Sequence, residues 1–188
     1  MPPKAKITRE MILDTAFEIV RKEGADKVTA RSISEQLNCS TQPVLYYFST
    51  VEEIKKAVYI KADEYHGAYL MNLEMTSENP MLAIGINYIK FAIEERNLFR
   101  FLFQSNEFSG ISMLELLETE EFLPMLGMLQ SELDISMEDA KEIFSTLFIF
   151  SHGYASLYAN NTMLYNEQDV IRALDKIFVG AVCTVKGD

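Results

Sequence analysis

The sequence predicts an all-α protein of about nine helices, with a three-helix N-terminal domain and a larger C-terminal helical domain. Apolar residues recur at helical spacing along most of the chain, and no segment shows the alternation of apolar and polar residues that marks a half-buried strand. Residues that favour helix ends, above all Ser, Thr and Asn, separate the apolar runs. The 188 residues, of which 48% are hydrophobic, suffice for one large or two small domains.

The N-terminal domain is predicted from three short helical segments. The first helix begins after Thr8, carries one apolar stripe and ends at Gly24. Thr29 caps a short second helix. The turn Asn38-Cys39-Ser40 then leads to a third short helix, Thr41–Tyr47, with Ser40 as its N-cap. Helices this short cannot bury their own apolar faces, so we expect the first helix to cover them.

We place the domain boundary near residue 50, so that residues 1–50 form the N-terminal domain and residues 51–188 the C-terminal one. A fourth helix that links them begins at about residue 51, where Thr50 and Glu53 match a capping box. It is predicted to run to about Met75. The other helices are predicted over Pro80–Arg96, Asn97–Gln104, Ser112–Leu133 (broken near Pro124), Ser136–Asn160 and Asn166–Val185, with a linker at Thr76–Pro80 and a loop at Ser105–Gly110.

Charge is divided unevenly along the chain. The net charge is −11, yet the residues up to Lys61 hold ten Lys or Arg and eight Asp or Glu, a net charge of +2. The rest of the chain holds the remaining 7 of 17 basic and 20 of 28 acidic residues, a net charge of −13. This split indicates a polyanion as the partner of the N-terminal part, because the acidic surplus lies elsewhere.

Targeting and redox signals point to a cytoplasmic protein. The chain starts with a short basic arm, Met1–Lys6, rather than an apolar leader. The longest apolar runs, Leu98–Phe103 and Thr146–Phe150, are far too short to span a bilayer. Cys39 and Cys183 lack metal-ligand spacing, so we expect reduced thiols, with a redox switch at Cys39 as the alternative. We expect a soluble protein with no membrane contact.

Two short helices joined by a tight turn and covered by a third helix form the tri-helical arrangement that places its last helix in the DNA major groove. On the third helix, Gln42 has the amide that pairs with adenine, and Leu45 can contact a thymine methyl group. The predicted base-facing residues are Ser40, Thr41, Gln42, Leu45 and Tyr46. Val44 and Phe48 are predicted to point inward.

Five further side chains are predicted to contact the DNA backbone. Thr29 and Arg31 lie at the start of the second helix, where backbone N–H groups favour a phosphate. Lys55 and Lys56 open the fourth helix, and Tyr47 offers a hydroxyl group. Contacts of this kind supply salt-dependent affinity without sequence choice.

The segment VTARSISEQLNCSTQPVLYYFSTVEEI resembles the DNA-binding signature of the TetR family of one-component transcriptional regulators. Asn38 stands where the family has its turn glycine, Leu45 where it has a tyrosine, and Val51 where it has a phosphate-binding lysine. Lys55 or Lys56 then substitutes for that lysine. The matching positions are Val28, Thr29, Ile33, Ser40, Val44, Tyr47, Phe48, Thr50 and Ile54.

The resemblance implies a homodimer that binds a palindromic operator and is held together by the last two helices of each subunit. The apolar stripes of these helices fit that role, and the alternative is that they pack within one subunit. The predicted dimer residues are Phe150, Tyr154, Leu157, Tyr158, Leu174, Ile177, Phe178 and Ala181.

The resemblance also implies an effector pocket among the middle helices, and with it a repressor that a small ligand releases from its operator. The middle of the chain is rich in aromatic residues and Met, which indicates a hydrophobic or aromatic effector. The predicted lining residues are Tyr65, Tyr88, Phe91, Phe99, Phe103, Met125 and His152. Each of them has the alternative of being an ordinary core residue.

Two other classes of function are an enzyme and an interaction protein that does not bind DNA. An enzyme built on a helical bundle is not supported, because the sequence has no nucleophile–base pair, phosphate-binding Gly loop, HExxH or ExxH motif. We therefore predict no catalytic residues, no cofactor and no metal; His66 and His152 lack metal-ligand spacing. The alternative that stays open is a helical interaction or sensor protein whose DNA-reading head has decayed.

Overall fold

The computed structural model describes residues 7–72, 79–104, 115, 117–120 and 122–187. Over these residues the chain forms nine α-helices and no strand, which confirms the predicted fold class. The helices are α1 (Arg9–Glu23), α2 (Ala30–Gln36), α3 (Thr41–Tyr47), α4 (Val51–Met71), α5 (Pro80–Glu94), α6 (Arg96–Phe103), α7 (Leu123–Leu133), α8 (Met137–Asn160) and α9 (Glu167–Lys186), with one 3-10 turn at Ala25–Lys27.

Several predicted segments lie outside the described residues. They are the basic arm Met1–Lys6, the end predicted for α4 at Met75, most of the linker at Thr76–Pro80, the loop at Ser105–Gly110 and the start of the helix predicted from Ser112. Within the described part, residues 118–120 and 122 lie outside helices and Pro124 lies in the first turn of α7, so the break predicted near Pro124 is confirmed. None of the described helices is both long and apolar enough to cross a bilayer.

Most helix ends follow the predicted capping signals. The Thr8 side chain accepts a hydrogen bond from the Met11 amide at 3.2 Å, and Gly24, with φ at 99°, ends α1. Ser136 and Asp139 form a reciprocal capping box at the start of α8. These ends are encoded locally, because each cap satisfies backbone groups within its own first or last turn.

Two caps differ from the prediction. Ser40 occupies the N-cap position of α3, but its side chain makes no capping hydrogen bond. At the start of α4, Thr50 accepts from the Glu53 amide at 3.1 Å as expected, whereas the Glu53 carboxylate accepts from the Ser49 amide at 2.7 Å instead of from Thr50. The second half of that capping box is therefore displaced by one residue.

The chain divides into two compact units. The first contains Met1–Ala68 and Glu95–Glu107, so α6 packs with the N-terminal helices. In this unit α1 contacts α2, α3 and α6. Its fully buried side chains include Ile12, Ile19, Ile33, Val44, Ile54, Val58, Leu98, Phe99 and Leu102. The domain boundary predicted near residue 50 is not tested by this division into packing units and stays a prediction.

The second unit contains Tyr69–Glu94 and Phe108–Asp188. Helix α5 packs against α8 and α9, and α7 packs against α8. Gly85 on α5 permits a close approach to α8 and α9, since a Cβ atom there would lie 3.3 Å from the Ser151 Oγ atom and 3.6 Å from Leu174. One core cluster of the unit comprises Met81, Leu117, Leu126, Leu129, Ala140, Ile143, Phe144 and Leu147.

Candidate nucleic-acid interface

Helix α3 is held by one face and presents the other. Val44 and Phe48 are buried, which fixes the rotation of the helix about its axis. The turn before it closes at Asn38, whose φ of 51° lies in the left-handed region that Asn tolerates better than most residues. The opposite face exposes the predicted base-facing residues Ser40, Thr41, Gln42, Leu45 and Tyr46.

The exposed face of α3 carries polar and apolar groups but no charge. Leu45 is 53% exposed and Tyr46 is 81% exposed, so this face carries large apolar surface beside its polar groups. The Tyr46 ring meets the half-buried Tyr47 ring edge-on, with 5.1 Å between centroids. Because Ser40 makes no capping bond, its hydroxyl is not committed to the helix.

The predicted backbone contacts at α2 are engaged within the chain. The Thr29 hydroxyl accepts from the Ser32 amide at 2.9 Å and donates to the Ser32 hydroxyl at 3.0 Å. Arg31 pairs with Glu35 one turn later at 2.8 Å, and this pair raises the pKa of the Arg31 guanidinium. Exposed pairs of this kind are weak, so a phosphate can compete for Arg31 more readily than for Thr29.

The basic residues of α4 are less engaged. Lys56 is exposed and Lys55 is half-buried, and neither forms an ion pair with any residue that the structure describes. Arg9, which the sequence analysis did not single out, is exposed at the start of α1 and stands over the Phe48 ring at 4.8 Å. Its signal in the sequence is only that of a basic residue beside a helix start.

A buried acid–base cluster joins three helices of the first unit. Glu95, between α5 and α6, is only 7% exposed. Its carboxylate accepts hydrogen bonds from the Arg21 Nε atom on α1 at 2.8 and 3.0 Å and from the Tyr65 hydroxyl on α4 at 3.1 Å. The Asn97 amide donates to the Arg21 carbonyl oxygen at 3.1 Å. The cluster therefore fixes α6 and α4 to the last turn of α1.

Three of the predicted effector-binding residues belong to the first unit. The Tyr65 hydroxyl donates a hydrogen bond to Glu95. Burial, and secondly the negative charge of that carboxylate, raise the pKa of Tyr65. Phe99 is fully buried and lies 5.2 Å from the Phe103 ring, which in turn lies 5.0 Å from the buried imidazole of His66. Burial lowers the pKa of His66 to about 4, so its ring is neutral at neutral pH.

The other four predicted effector-binding residues belong to the second unit. The Tyr88 hydroxyl and the His152 Nδ1 atom are 2.9 Å apart, beside the Phe148 ring. Burial raises the pKa of Tyr88 and lowers the pKa of His152. Phe91 is fully buried against the Tyr69 ring, and Met125 packs on the core cluster of this unit. The Tyr88–His152 pair is thus a polar contact within aromatic surroundings.

Helix α8 carries an open groove of about 750 Å³ on its outer side. Ile149 is 58% and Leu157 is 50% exposed in or beside this groove. Gly153 lies between them, and a Cβ atom there would meet nothing within 4 Å. The lining residues are Ile149, Phe150, His152, Gly153, Tyr154, Ser156, Leu157, Asn160 and Asn161.

The predicted dimer residues have different environments. Phe150, Tyr154 and Leu157 line this groove. Tyr158 and Leu174 are buried inside the subunit. Ile177, Phe178 and Ala181 pack partly against the core cluster. The sequence did not single out Ile149, which lines the groove, or Val179 and Gly180, which are exposed on α9.

No protein-family model matches this sequence, and no curated protein matches it. Several solved structures are similar to this chain. A tetR-family transcriptional regulator from Streptomyces coelicolor superposes with a TM-score of 0.69 at 14% identity, covering 96% of this chain and 88% of its own. A putative TetR-family regulator from Vibrio parahaemolyticus gives 0.56 at 13% identity, covering 93% and 96%. The ketosteroid regulator KstR2 of Mycobacterium tuberculosis gives 0.53 at 12%, covering 93% and 96%. The chain therefore has the fold of TetR-family regulators.

Proposed function

We propose that this chain, whose fold is that of TetR-family transcriptional regulators, is a DNA-binding regulator that reads a palindromic operator as a homodimer. The observation that carries the proposal is the orientation of α3. Its buried side, anchored by Val44 and Phe48, leaves Gln42, Leu45 and Tyr46 exposed together. A rigidly held helix with hydrogen-bonding and apolar groups on its free side suits the major groove.

Dimerisation is assigned to α8 and α9. An exposed Ile149 and Leu157 flank Gly153, a glycine in mid-helix that no neighbour within the subunit explains. Gly180 on α9 is likewise exposed, with nothing within 4 Å of a Cβ position. Glycine in a helix interior costs about 1 kcal/mol relative to alanine. Gly67 is equally open, so the glycines alone do not mark an interface; the exposed apolar Ile149 and Leu157 beside Gly153 are what favour a partner helix there.

We further propose that the regulator is a repressor that a small hydrophobic or aromatic effector releases from its operator. The Tyr88–His152 pair, set among aromatic rings, suits recognition of a mostly apolar compound with one polar group. The Arg21–Glu95–Tyr65 cluster supports transmission, since it connects α4 and α6 to α1 of the reading head. Effector binding that moves α4 or α6 would then change the fit to two half-sites.

The proposal is tested by selecting bound duplexes from a random DNA pool with the full-length protein at moderate salt. We expect an enriched inverted repeat with a fixed half-site spacing. Absence of any enriched sequence, with a folded and dimeric protein, would contradict DNA reading and favour an interaction or sensor protein with a decayed head. The selected operator then serves to screen aromatic and aliphatic compounds, and failure of every compound to change its affinity would remove the effector part.

A further inference from the structure

We infer that the half-site read by this protein is built on neighbouring A·T base pairs, with Gln42 reading an adenine and Leu45 a thymine. The inference rests on the proposed function, because it requires α3 to enter the major groove. It concerns which bases are read, whereas the proposed function concerns whether DNA is read at all.

The first argument is the chemistry that α3 lacks. The commonest specific contact to guanine is an Arg or Lys side chain bonded to its O6 and N7 atoms. The segment Ser40–Tyr47 contains no Arg or Lys, and its exposed side chains are uncharged. Gln42 is the one exposed side chain on this face that can both donate and accept in a two-bond contact, and its amide matches the N6 and N7 atoms of adenine.

The second argument is the exposed apolar surface. Leu45 is 53% exposed at the centre of the free face, where water solvates it at a cost. The major-groove edges of the four bases offer one apolar group, the C5 methyl of thymine. A leucine that covers this methyl group removes apolar surface from both partners, whereas opposite cytosine or guanine it would desolvate polar atoms without replacing their hydrogen bonds.

The third argument is the spacing of the two readers. Gln42 and Leu45 are three residues apart on one side of α3, which separates them by about 4.5 Å along the helix axis. Base pairs in B-DNA follow each other every 3.4 Å. Because Val44 and Phe48 are buried, α3 cannot turn about its own axis and withdraw Gln42 or Leu45 from the groove. The two side chains therefore address the same or adjacent base pairs, which makes the read element a short run of A·T pairs.

The test uses base analogues that each remove one chemical group from the selected operator. Deoxyuridine in place of thymidine removes the methyl group, and 7-deaza-adenine in place of adenine removes the N7 acceptor. At the positions under α3 we expect each change to weaken binding by wild-type protein roughly tenfold. Leu45→Ala should bind thymidine and deoxyuridine operators equally, and Gln42→Ala should become insensitive to the loss of N7.

Matched controls are available on exposed positions away from α3. Ile60→Ala on α4 and Gln168→Ala on α9 remove similar exposed side chains and should keep the full effect of both analogues. The wild-type measurements need no variant, so a misfolded mutant would not leave the question open. An enriched inverted repeat with G·C pairs under α3, or analogues that bind as well as natural bases, would overturn the inference while the proposed function stands. No enriched sequence at all would overturn the proposed function itself.

Discussion

Arg21 and Glu95 lie 74 residues apart in the chain, and the guanidinium of Arg21 binds both oxygens of the Glu95 carboxylate. The partners differ in exposure: the Arg21 side chain is 37% exposed, whereas that of Glu95 is 9% exposed. The cost of separating them therefore falls mainly on Glu95, which would be left as a charge shielded from water. This asymmetry makes Arg21 the informative residue to change.

Arg21→Met should lower the free energy of unfolding by about 2 kcal/mol, since it removes a charged partner from a buried carboxylate whose remaining bond is to Tyr65. Urea unfolding at a fixed protein concentration measures this. The matched control is Arg172→Met, which removes an arginine paired with Asp169 on the exposed side of α9. That change should have little effect. Equal losses for the two variants would show that Glu95 gains no special stabilisation from Arg21.

Tyr65→Phe should lower the free energy of unfolding by about 1 kcal/mol, because the hydroxyl donates to the buried Glu95 carboxylate. Combined with Arg21→Met, the two losses should not add, since both changes act on the same carboxylate. A double-mutant cycle in urea measures the coupling. Additive losses would indicate that Tyr65 and Arg21 stabilise the fold independently.

Stability should fall on mild acidification because of His66. Its pKa is lowered from 6.5 to about 4 in the folded protein, so between these values the unfolded chain binds a proton that the folded chain does not. The stability lost as pH falls from about 6.5 to 4 is about 3 kcal/mol for this group. His66→Phe, which keeps a ring beside Phe103, should reduce the slope of unfolding free energy against pH. An unchanged slope would show that His66 is solvated or charged in the folded protein.

Gly153→Ala and Gly180→Ala should each stabilise the helix that carries the change but weaken the dimer. Each helix gains up to about 1 kcal/mol of intrinsic propensity. The added methyl groups would hold the partner helices apart, so we expect the dimer dissociation constant to rise roughly tenfold in sedimentation equilibrium. Gly67→Ala is the matched control, an exposed mid-helix glycine on α4 with nothing within 4 Å of a Cβ position. If all three variants leave dimerisation unchanged, the partner does not approach at Gly153 and Gly180.

Lys56→Met should weaken binding to every DNA sequence about equally and reduce the slope of log affinity against log salt by about 1. Lys56 is exposed and forms no ion pair with a described residue, so its charge is available to a phosphate. Lys186→Met, at the end of α9, is the control and should leave the slope unchanged. The same slope for Lys56→Met and wild type would show that Lys56 contacts no phosphate, and would leave Lys55 and Arg9 as the candidates.

Local signals made the helices predictable. Thr8, Gly24 and the Ser136–Asp139 pair mark helix ends through contacts within a few residues, and the structure has those ends. The inward placement of Val44 and Phe48 was also predictable, and both are buried while Gln42 and Leu45 are exposed.

Long-range relationships were not predictable from one sequence. Nothing local distinguishes Glu95 from the other acidic residues, and its role follows only from the folding of α1 and α4 around it. Aromatic spacing also could not show the surroundings of each ring: Phe91, Phe99 and Tyr88 are all buried, and the structure adds that the Tyr88 hydroxyl lies 2.9 Å from the His152 Nδ1 atom. Periodicity likewise grouped the buried Leu174 with the exposed Leu157, because it identifies an apolar stripe without identifying what covers it.

The left-handed turn at Asn38 bears on how this head could acquire a new specificity. An asparagine at φ 51° pays a strain that glycine would not, so Asn38→Gly offers an increment of stability at a position outside the exposed side of α3. Substitutions that retarget a reading helix tend to destabilise it. Under the proposed function, a library that varies Gln42 and Leu45 should therefore yield more folded variants in an Asn38→Gly background, and the turn would serve as a compensating site for directed evolution of operator choice.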